Sequence, residues 1–355
     1  MFSVFHKVHE VWEAQLEDIE RATSSILMEQ YIMEDFDDGG IGRRFIDALI
    51  HKQQQGVEVR CIVDALGSFE LFKNNALHNL FTDAGGKIFY YKNLGGYNVI
   101  NPARLLLRDH RKLLLVDRRI SWIGGVVVGE RFRDWDDLMV RFESEDIADV
   151  LNKEFRNQLL RLEDKTSLLA PLTTIDASNH ISGNAPGIGN RFCYEEICHA
   201  IMRASESVML VTPYFAPPTK LRRVLNRRLS EGLSITLLTP QRTDHHIADL
   251  ARESYMKKFL KKGLILQYAP HMIHAKIVIV DGVWMTFGST NLDGLSLIFN
   301  HELNMTTRDA DLIKEVQEVI KKWNANLKQI SFSTCEFQNQ SRFGRLIGRY
   351  CRLIT

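Results

Sequence analysis

The 355-residue chain lacks long hydrophobic runs, a charge excess and a regular array of cysteines. No stretch of about 18 apolar residues is present, so no membrane-spanning helix is expected. Residues 1–11 contain no apolar core of the kind that secretory signal peptides carry, so no signal peptide is predicted. The five cysteines are odd in number and scattered, which argues against a disulfide framework and favours a reducing compartment.

The near-balance of charge narrows the possible partners. The formal net charge is +1, whereas proteins that bind nucleic acids usually carry a clear basic excess. No nucleic-acid partner is therefore expected. The composition, with 45% hydrophobic and 25% charged residues, is that of a globular protein with a sizeable core.

What the sequence does contain is an internal repeat of about 165–175 residues. In both halves, predicted strands and helices alternate, which indicates an α/β sheet with helices on its faces. The predicted strands span residues 25–33, 57–64 and 87–91 in the first half, and residues 207–213, 233–239 and 264–268 in the second. The repeat predicts an α/β fold of two similar α/β/α lobes with pseudo-twofold symmetry and an active site at their interface.

Changes in composition suggest the boundaries of these lobes. We expect residues 1–165 to form the first lobe and residues 191–330 to form the second. The segment 166–190 is rich in Ser, Thr, Asn, Gly and Pro, which predicts an inter-domain linker. Residues 331–355 are expected to form a basic amphipathic tail.

The motif His-x-Lys-x4-Asp occurs once in each half, and each copy is followed by a pair of small residues. Its members are His110, Lys112 and Asp117 in the first half and His274, Lys276 and Asp281 in the second. A histidine and a lysine two residues apart on a strand point to the same side. Docking of the lobes would bring two imidazoles and two ammonium groups to one cavity, where their repulsion favours a bound anion such as phosphate.

Two histidines and two lysines around a phosphate can divide the work of a group transfer. One imidazole attacks phosphorus and forms a phosphohistidine, while the other protonates the leaving alkoxide and later deprotonates the incoming alcohol or water. The lysines neutralise the phosphate oxygens and the charge that develops in the transition state. No metal and no cofactor are expected, because a lysine two residues from each histidine would oppose a bound cation.

Further polar residues are candidates for orienting the histidines and binding the phosphate. Four carboxylates could fix the tautomers of the imidazoles: Asp117, Asp137, Asp281 and Glu302. Ser289, through its backbone and its hydroxyl, and Asn291 are candidate donors to the phosphate oxygens.

The paired motif resembles the signature of the phospholipase D superfamily, and other stretches resemble the bacterial cardiolipin synthases within it. These stretches are residues 29–32, 64–68, 212–217, 288–293 and 300–302. The resemblance implies metal-independent transfer of a phosphatidyl group, taken from phosphatidylglycerol or another phospholipid, to a second phosphatidylglycerol. The products are then cardiolipin and glycerol. The resemblance also implies His110 as nucleophile and His274 as acid/base, an order that the residues themselves leave open.

The sequence departs from this family pattern in two ways. The family usually has asparagine at the position of Val127, so Asn291 has no counterpart and the half-sites are expected to bind phosphate unequally. Many cardiolipin synthases begin with two spanning helices that this sequence lacks. The arginines at positions 342, 345, 349 and 352 predict a helix that lies on an anionic membrane surface, or alternatively packs on the body. We therefore expect a peripheral protein on the cytoplasmic face of a membrane.

The paired motif is compatible with other functions. A phospholipase D or a phosphodiesterase nuclease would hydrolyse a phosphodiester with the same site, although a nuclease should carry a continuous basic groove with stacking aromatics. A non-enzymatic lipid- or nucleic-acid-binding protein is a third possibility, against which the two intact motifs argue. The oligomeric state is not predicted by the sequence.

Overall fold

The computed structural model describes residues 1–91, 107–162, 172–185, 191–325, 327 and 329–330. The strands of the first half are β1 (Phe2–Lys7), β2 (Ser25–Gln30), β3 (Glu58–Asp64), β4 (Lys87–Tyr91), β5 (Leu113–Val116), β6 (Ile120–Gly124) and β7 (Asp136–Glu143). Those that follow are β8 (Leu172–Thr174), β9 (Asn179–Asn184), β10 (Ser207–Val211), β11 (Phe215–Ala216), β12 (Ser234–Pro240), β13 (Ile265–Ala269), β14 (Ile277–Val280), β15 (Trp284–Gly288), β16 (Leu292–Asp293), β17 (Glu302–Thr307) and β18 (Gln329–Ile330).

Helices separate these strands in both halves. The α-helices are α1 (Val8–Glu20), α2 (Ile41–Gln54), α3 (Phe69–Lys73), α4 (Asn75–Asp83), α5 (Glu145–Leu162), α6 (Phe192–Arg203), α7 (Thr219–Ser230), α8 (His246–Leu260) and α9 (Ala310–Asn324). A short 3₁₀-helix spans Glu130–Phe132, and a π-helix spans Leu295–Phe299. Within the described residues, no helix has both the length and the apolar character needed to cross a membrane.

The strand order of the first large sheet recurs in the second. The first sheet has the order β1-β7-β6-β5-β2-β3-β4, and the second contains β9-β17-β15-β14-β10-β12-β13 in the same relative arrangement. Strands β2, β3 and β4 are parallel, as are β10, β12 and β13, whereas β5 and β14 run antiparallel to their neighbours. This recurrence confirms the predicted α/β fold with two similar lobes.

The motif strands are buried on both faces, which explains why they are continuous hydrophobic runs. In β5, Leu114 packs into a core beneath α1 and α2, whereas Leu113 and Leu115 face a second core between the two sheets. This central core also receives residues of α5 and α9 and the matching residue Ile277. Because burial covers both faces, each strand holds the preceding histidine and lysine in a rigid frame.

The segment that we predicted as a plain linker is partly a β-hairpin of the second sheet. Strands β8 and β9 pair with each other, and β9 pairs along its whole length with β17. The prediction of a linker was therefore wrong for residues 172–184. The polar strand β9 is held in the sheet by backbone hydrogen bonds to β17, so its sequence lacks the apolar residues that would have marked it as a strand. The sequence analysis also missed β1, the counterpart of β9. The parts of the linker at 166–171 and 186–190, and the tail 331–355, lie outside the described residues.

Candidate active site at the lobe interface

Short stretches of backbone from opposite lobes pair just before each histidine. The His110 N–H donates to the carbonyl of His301 at 3.0 Å, and the His274 N–H donates to the carbonyl of Asp136 at 2.6 Å. These two contacts are related by the repeat, since His301 precedes β17 and Asp136 begins β7. The lobe interface therefore positions both histidines in equivalent ways.

Each histidine is oriented by a carboxylate of the opposite lobe. Nδ1 of His110 lies 3.1 Å from Oε2 of Glu302 and 3.0 Å from the carbonyl oxygen of Ser289. Nδ1 of His274 lies 2.7 Å from Oδ2 of Asp137. Because a carboxylate only accepts hydrogen bonds, each Nδ1 carries the proton and each Nε2 keeps its lone pair. Two of the four predicted carboxylates thus fix the tautomers, and they do so across the interface.

Both motif lysines are buried beside these histidines. The ammonium of Lys112 donates to the carbonyl oxygen of His110 and lies 5.2 Å from the centre of the Tyr31 ring. Nζ of Lys276 donates to the carbonyl oxygen of His274 at 2.5 Å and lies within 2.8 Å of both ring nitrogens of that residue. The structure therefore brings together the two histidine–lysine pairs that the sequence predicted.

Burial and mutual repulsion lower the pKa values of the two lysines and the two histidines in this cluster. Burial, with the nearby charge of Lys276, lowers the pKa of Lys112 to about 7. Burial lowers the pKa of Lys276 to about 8. Burial and the nearby charge of Lys276 lower the pKa of His274 to about 4. Burial also lowers the pKa of His110, although the negative charge of Glu302 acts in the opposite direction. An anion bound among these four groups would relieve the repulsion and favour their charged forms.

The family model described as "Cardiolipin synthase, PLD-like domain" matches residues 16–159 and 197–323, which contain both histidine–lysine pairs. The chain belongs to this family. The cardiolipin synthase of Oceanobacillus iheyensis is 29% identical to it over 94% of this chain and 70% of the relative. Cardiolipin synthase A of Pseudomonas fluorescens is 26% identical over 97% of this chain and 72% of the relative. These matches confirm the resemblance that the motifs suggested.

A solved structure supports the two-lobed fold of this family member independently. The crystal structure of phosphatidylserine synthase from Haemophilus influenzae superposes with a TM-score of 0.79 at 14% sequence identity. The match covers 99% of this chain and 93% of the other. At this identity the likeness concerns the fold alone, and it extends over both lobes.

The two motif aspartates lie away from the family's histidine–lysine pairs, so the prediction that they orient the imidazoles was wrong. Each aspartate begins a tight turn with positive φ, +54° at Asp117 and +52° at Asp281, after a four-residue strand. At roughly 3.3 Å per residue, the strand carries the carboxylate about 20 Å from the histidine. There it accepts backbone N–H bonds of 2.7–3.0 Å from residues 23–25 or residues 205–207.

Removing one of these aspartates is expected to affect stability and leave the chemistry intact. Burial alone would raise the pKa of Asp281, but the N–H bonds from residues 205–207 outweigh it and lower that pKa to about 2. The Asp281→Ala variant should lose about 1–3 kcal/mol of unfolding free energy at pH 7. Since the folded pKa is depressed, this stabilisation is present above about pH 4 and declines as the pH falls towards 2.

Urea unfolding of the wild type and of Asp281→Ala at several pH values measures this effect. The exposed Asp38→Ala variant is the control, because the Asp38 carboxylate makes no hydrogen bond or ion pair with the described residues. A hundredfold loss of specific activity in folded Asp281→Ala protein would contradict the structural role.

The hydroxyl of Ser289 supports Glu302 instead of facing the phosphate. Its Oγ donates to Oε2 of Glu302 at 2.5 Å, and its backbone N–H donates to the carbonyl of Leu303 at 3.1 Å. Both donors are therefore used, so the prediction of Ser289 as a phosphate donor was wrong. Asn291, in contrast, lies on the cavity wall, as does Val127 at the equivalent position of the first lobe.

A cavity of about 500 Å³ opens above the two histidines, and its wall is mostly apolar and aromatic. The aromatic residues on this wall are Tyr31, Phe132, Trp135 and Tyr214. The ring centres of Tyr31 and His110 are 4.9 Å apart, and those of Trp135 and His274 are 5.4 Å apart. These four residues were not among the predicted site residues. The positions of Tyr31 and Tyr214 just after β2 and β10 were the available signal, since the carboxyl ends of parallel strands commonly form ligand sites.

Two lysine side chains, and not a cluster of metal ligands, lie beside the histidines in the described part of the chain. In the ranges that the structure covers, no three His, Cys, Asp or Glu side chains are grouped so that they could hold a metal ion. The positive groups Lys112 and Lys276 occupy the space beside the histidines. The site is thus equipped with its own cations.

Proposed function

We propose that this protein transfers a phosphatidyl group from one phosphatidylglycerol to another, producing cardiolipin and glycerol through a phosphohistidine. One observation carries the proposal. Two imidazoles, each held at Nδ1 by a carboxylate of the other lobe, line one apolar cavity, and a buried lysine lies beside each of them. The apolar cavity wall can contact a lipid, and the positively charged lysines can bind a phosphodiester. The two imidazoles can act as nucleophile and as acid/base in a two-step transfer. The names of the relatives support the same substrate.

In the first step, the lone pair on Nε2 of His110 attacks phosphorus. The bond between phosphorus and the glycerol oxygen breaks, and His274 gives its proton to that oxygen as glycerol leaves. Burial and the charge of Lys276 lower the pKa of His274, and a bound phosphodiester anion would raise it again by offsetting the charge of the lysines. His110 is assigned as the nucleophile by the family resemblance.

In the second step, a hydroxyl of another phosphatidylglycerol attacks the phosphohistidine. Its oxygen forms the new bond to phosphorus, its proton passes to His274, and the phosphorus–nitrogen electrons return to His110. Lys112 and Lys276 stabilise the charge on the phosphate oxygens in both steps. We propose that neither step uses a metal ion, because the two lysines supply the positive charge that a metal would otherwise provide.

Incubation of the protein with acyl-labelled phosphatidylglycerol in vesicles tests the proposal. Labelled cardiolipin together with free glycerol is the expected result. Phosphatidic acid with glycerol would instead identify a phospholipase D that uses water as its acceptor. The absence of any lipid product, combined with cleavage of DNA, would overturn a lipid function altogether.

The lowered lysine pKa values predict an unusual pH dependence. Lysine is charged below its pKa, so kcat/KM should fall as the pH rises through the values of about 7 for Lys112 and about 8 for Lys276. A lysine of ordinary pKa would keep its charge to about pH 10. The Lys276→Arg variant should lose the second step near pH 8, since arginine stays protonated, and keep the first step near pH 7 that Lys112 sets. Measured on vesicles of constant composition, a wild-type profile that stays flat to about pH 9.5 would contradict this.

We propose further that the protein works peripherally on the cytoplasmic face of an anionic membrane and that the cavity mouth enters the lipid surface. Two apolar residues on the cavity wall are exposed, Ile247 to 64% and Leu295 to 44%. Their exposure costs least when lipid covers them. Ile247 is the second residue of α8. Leu295 is the first residue of the π-helix, four residues after Asn291.

Replacement of these residues is expected to weaken membrane binding. The double variant Ile247→Glu, Leu295→Glu should bind phosphatidylglycerol vesicles about tenfold or more weakly, because each change removes an exposed aliphatic side chain that the lipid would cover. Val283→Glu is the matched control, since Val283 is 60% exposed but lies in the turn after β14, remote from the cavity. Vesicle co-sedimentation measures both. Equal losses in the two proteins would rule out the cavity mouth as the contact.

A further inference from the structure

The cavity wall differs between the lobes at positions that the repeat relates. Counted from the pair of small residues after each motif, Val127 corresponds to Asn291 and Gly129 corresponds to Asp293. Val127, Asn291 and Asp293 all line the cavity. The wall of the second lobe therefore carries two polar side chains where the first lobe has valine and glycine.

These polar side chains offer hydrogen-bond acceptors to the cavity. Oδ1 of Asn291 is buried and has no partner among the residues described, while its Nδ2 donates to Oγ of Ser296 at 3.3 Å. Oδ1 of Asp293 accepts the backbone N–H of Ser296 at 2.8 Å, which leaves the carboxylate with capacity for further donors. A buried acceptor without a donor is costly, so a ligand that donates is favoured here.

The chemistry of these acceptors restricts the ligand. Phosphate oxygens are themselves acceptors and cannot satisfy them. An ammonium group would be repelled by Lys276, which lies close enough to Asp293 for its charge to be felt there. Burial and the negative charge of Glu302 raise the pKa of Asp293 to about 6, although the Ser296 N–H acts against them. The ionised carboxylate accepts hydrogen bonds, and an uncharged hydroxyl can donate to it without being repelled by Lys276.

We propose that Asn291 and Asp293 form a subsite for the adjacent hydroxyl groups of a polyol, namely the glycerol head group of the lipid. This inference rests on the proposed transfer function and specifies how the acceptor alcohol is selected. The subsite belongs to the second lobe, as does His274, the group that takes the proton from the attacking hydroxyl. Tyr214 extends it, since its ring lies 6.3 Å from His274 and its hydroxyl donates to Asp244 at 2.6 Å.

The subsite would hold one hydroxyl and present the next to phosphorus. A carboxyl at Asp293 accepts the inner hydroxyl, and the neighbouring terminal hydroxyl is then directed towards His274. An alcohol with a single hydroxyl lacks the inner contact and gains nothing from Asp293. Selectivity between glycerol and 1-propanol, which have the same carbon chain, therefore reports on the subsite.

The test compares these two alcohols as acceptors. Vesicles of phosphatidylglycerol are incubated with labelled glycerol or labelled 1-propanol, and label in phosphatidylglycerol or phosphatidylpropanol is counted. The wild type is expected to favour glycerol by about tenfold or more in kcat/KM for the acceptor, as one hydroxyl bonded to a carboxylate contributes. In Asp293→Asn, the ratio of kcat/KM for glycerol to kcat/KM for 1-propanol should fall about tenfold, and in the control Asp146→Asn the ratio should not change. Formation of the phosphohistidine should slow with both acceptors, because the glycerol that leaves phosphatidylglycerol occupies the same subsite.

The possible outcomes separate a failure of the subsite from a failure of the proposed transfer function. An equal fall with both alcohols, or an unchanged preference in Asp293→Asn, would overturn the subsite, as would a preference of the wild type for ethanolamine over glycerol. Calorimetric binding of glycerophosphoglycerol, the deacylated head group, does not depend on turnover. If the wild type labels no lipid, the proposed function fails, while tighter binding of this compound to the wild type than to Asp293→Asn would still support the subsite and unchanged binding would refute it.

Discussion

The His110→Ala variant is expected to lose transfer activity by about 10⁴- to 10⁶-fold, because His110 is the proposed nucleophile that forms the covalent intermediate. His274→Ala should lose turnover to a similar extent with phosphatidylglycerol, whose glycerol needs a proton to leave. The two variants are nevertheless expected to differ. A phosphatidyl donor with p-nitrophenol as leaving group needs no proton, so His274→Ala should release p-nitrophenol once and stop at the phosphohistidine.

Isolation of that intermediate measures the order of the two histidines. Acid-labile, base-stable phosphate mapped to His110 in the His274→Ala protein supports the proposed assignment. The same label found on His274 in the His110→Ala protein would reverse it. His271→Ala provides a nearby control, since its ring contacts Asp136 at 2.6 Å and is not part of the cavity wall. This control should retain transfer within about threefold, as substitutions away from reacting atoms commonly do.

The Glu302→Gln variant is expected to lose about 10²- to 10⁴-fold in kcat with little change in KM. Glu302 accepts the Nδ1 proton of His110 and stabilises the positive charge that the ring gains on attack, so the loss falls on the transition state. Asp137→Asn should act in the same way through His274. Both residues are positioning residues, because they act through the imidazoles.

Asp117→Asn is the matched control for these two variants, since it removes a motif carboxylate that lies away from the histidines. It should keep kcat within about twofold in the folded protein. Thermal unfolding followed by circular dichroism shows whether each variant is folded. A raised KM with unchanged kcat for Glu302→Gln would contradict the orienting role. Equal losses of kcat in Glu302→Gln and Asp117→Asn would contradict it as well. Partial recovery of kcat in Glu302→Asp would support it, because aspartate fills this role opposite His274.

Much of the fold and the centre of the site could be predicted from the sequence. The hydrophobic runs after His110 and His274 identify buried strands, and the repeat places them in similar lobes, which the strand order confirms. Which carboxylate meets which histidine could not be predicted. His110 and Glu302 are 192 residues apart, and their contact depends on how the lobes dock.

The errors at Asp117 and Ser289 have physical causes as well. Proximity in sequence made Asp117 look like part of the site, but an extended strand separates the residues that it joins. Ser289 was placed correctly near the histidines, yet its hydroxyl had two possible acceptors, and the buried Glu302 takes it. Strand β9 was missed because its partner is a distant strand, and its own polar sequence gives no alternating pattern.

Because each histidine is oriented by a carboxylate of the other lobe, the rate of catalysis depends on how the two lobes dock. Neither lobe contains a complete acid/base unit, because Asp137 serves His274 and Glu302 serves His110. A shift of the lobes by about 1 Å would lengthen both of these hydrogen bonds at once, beyond the range in which they remain strong. Any ligand, lipid or substitution that tightens or loosens the interface would therefore change both chemical steps together, while the fold of each lobe stays the same.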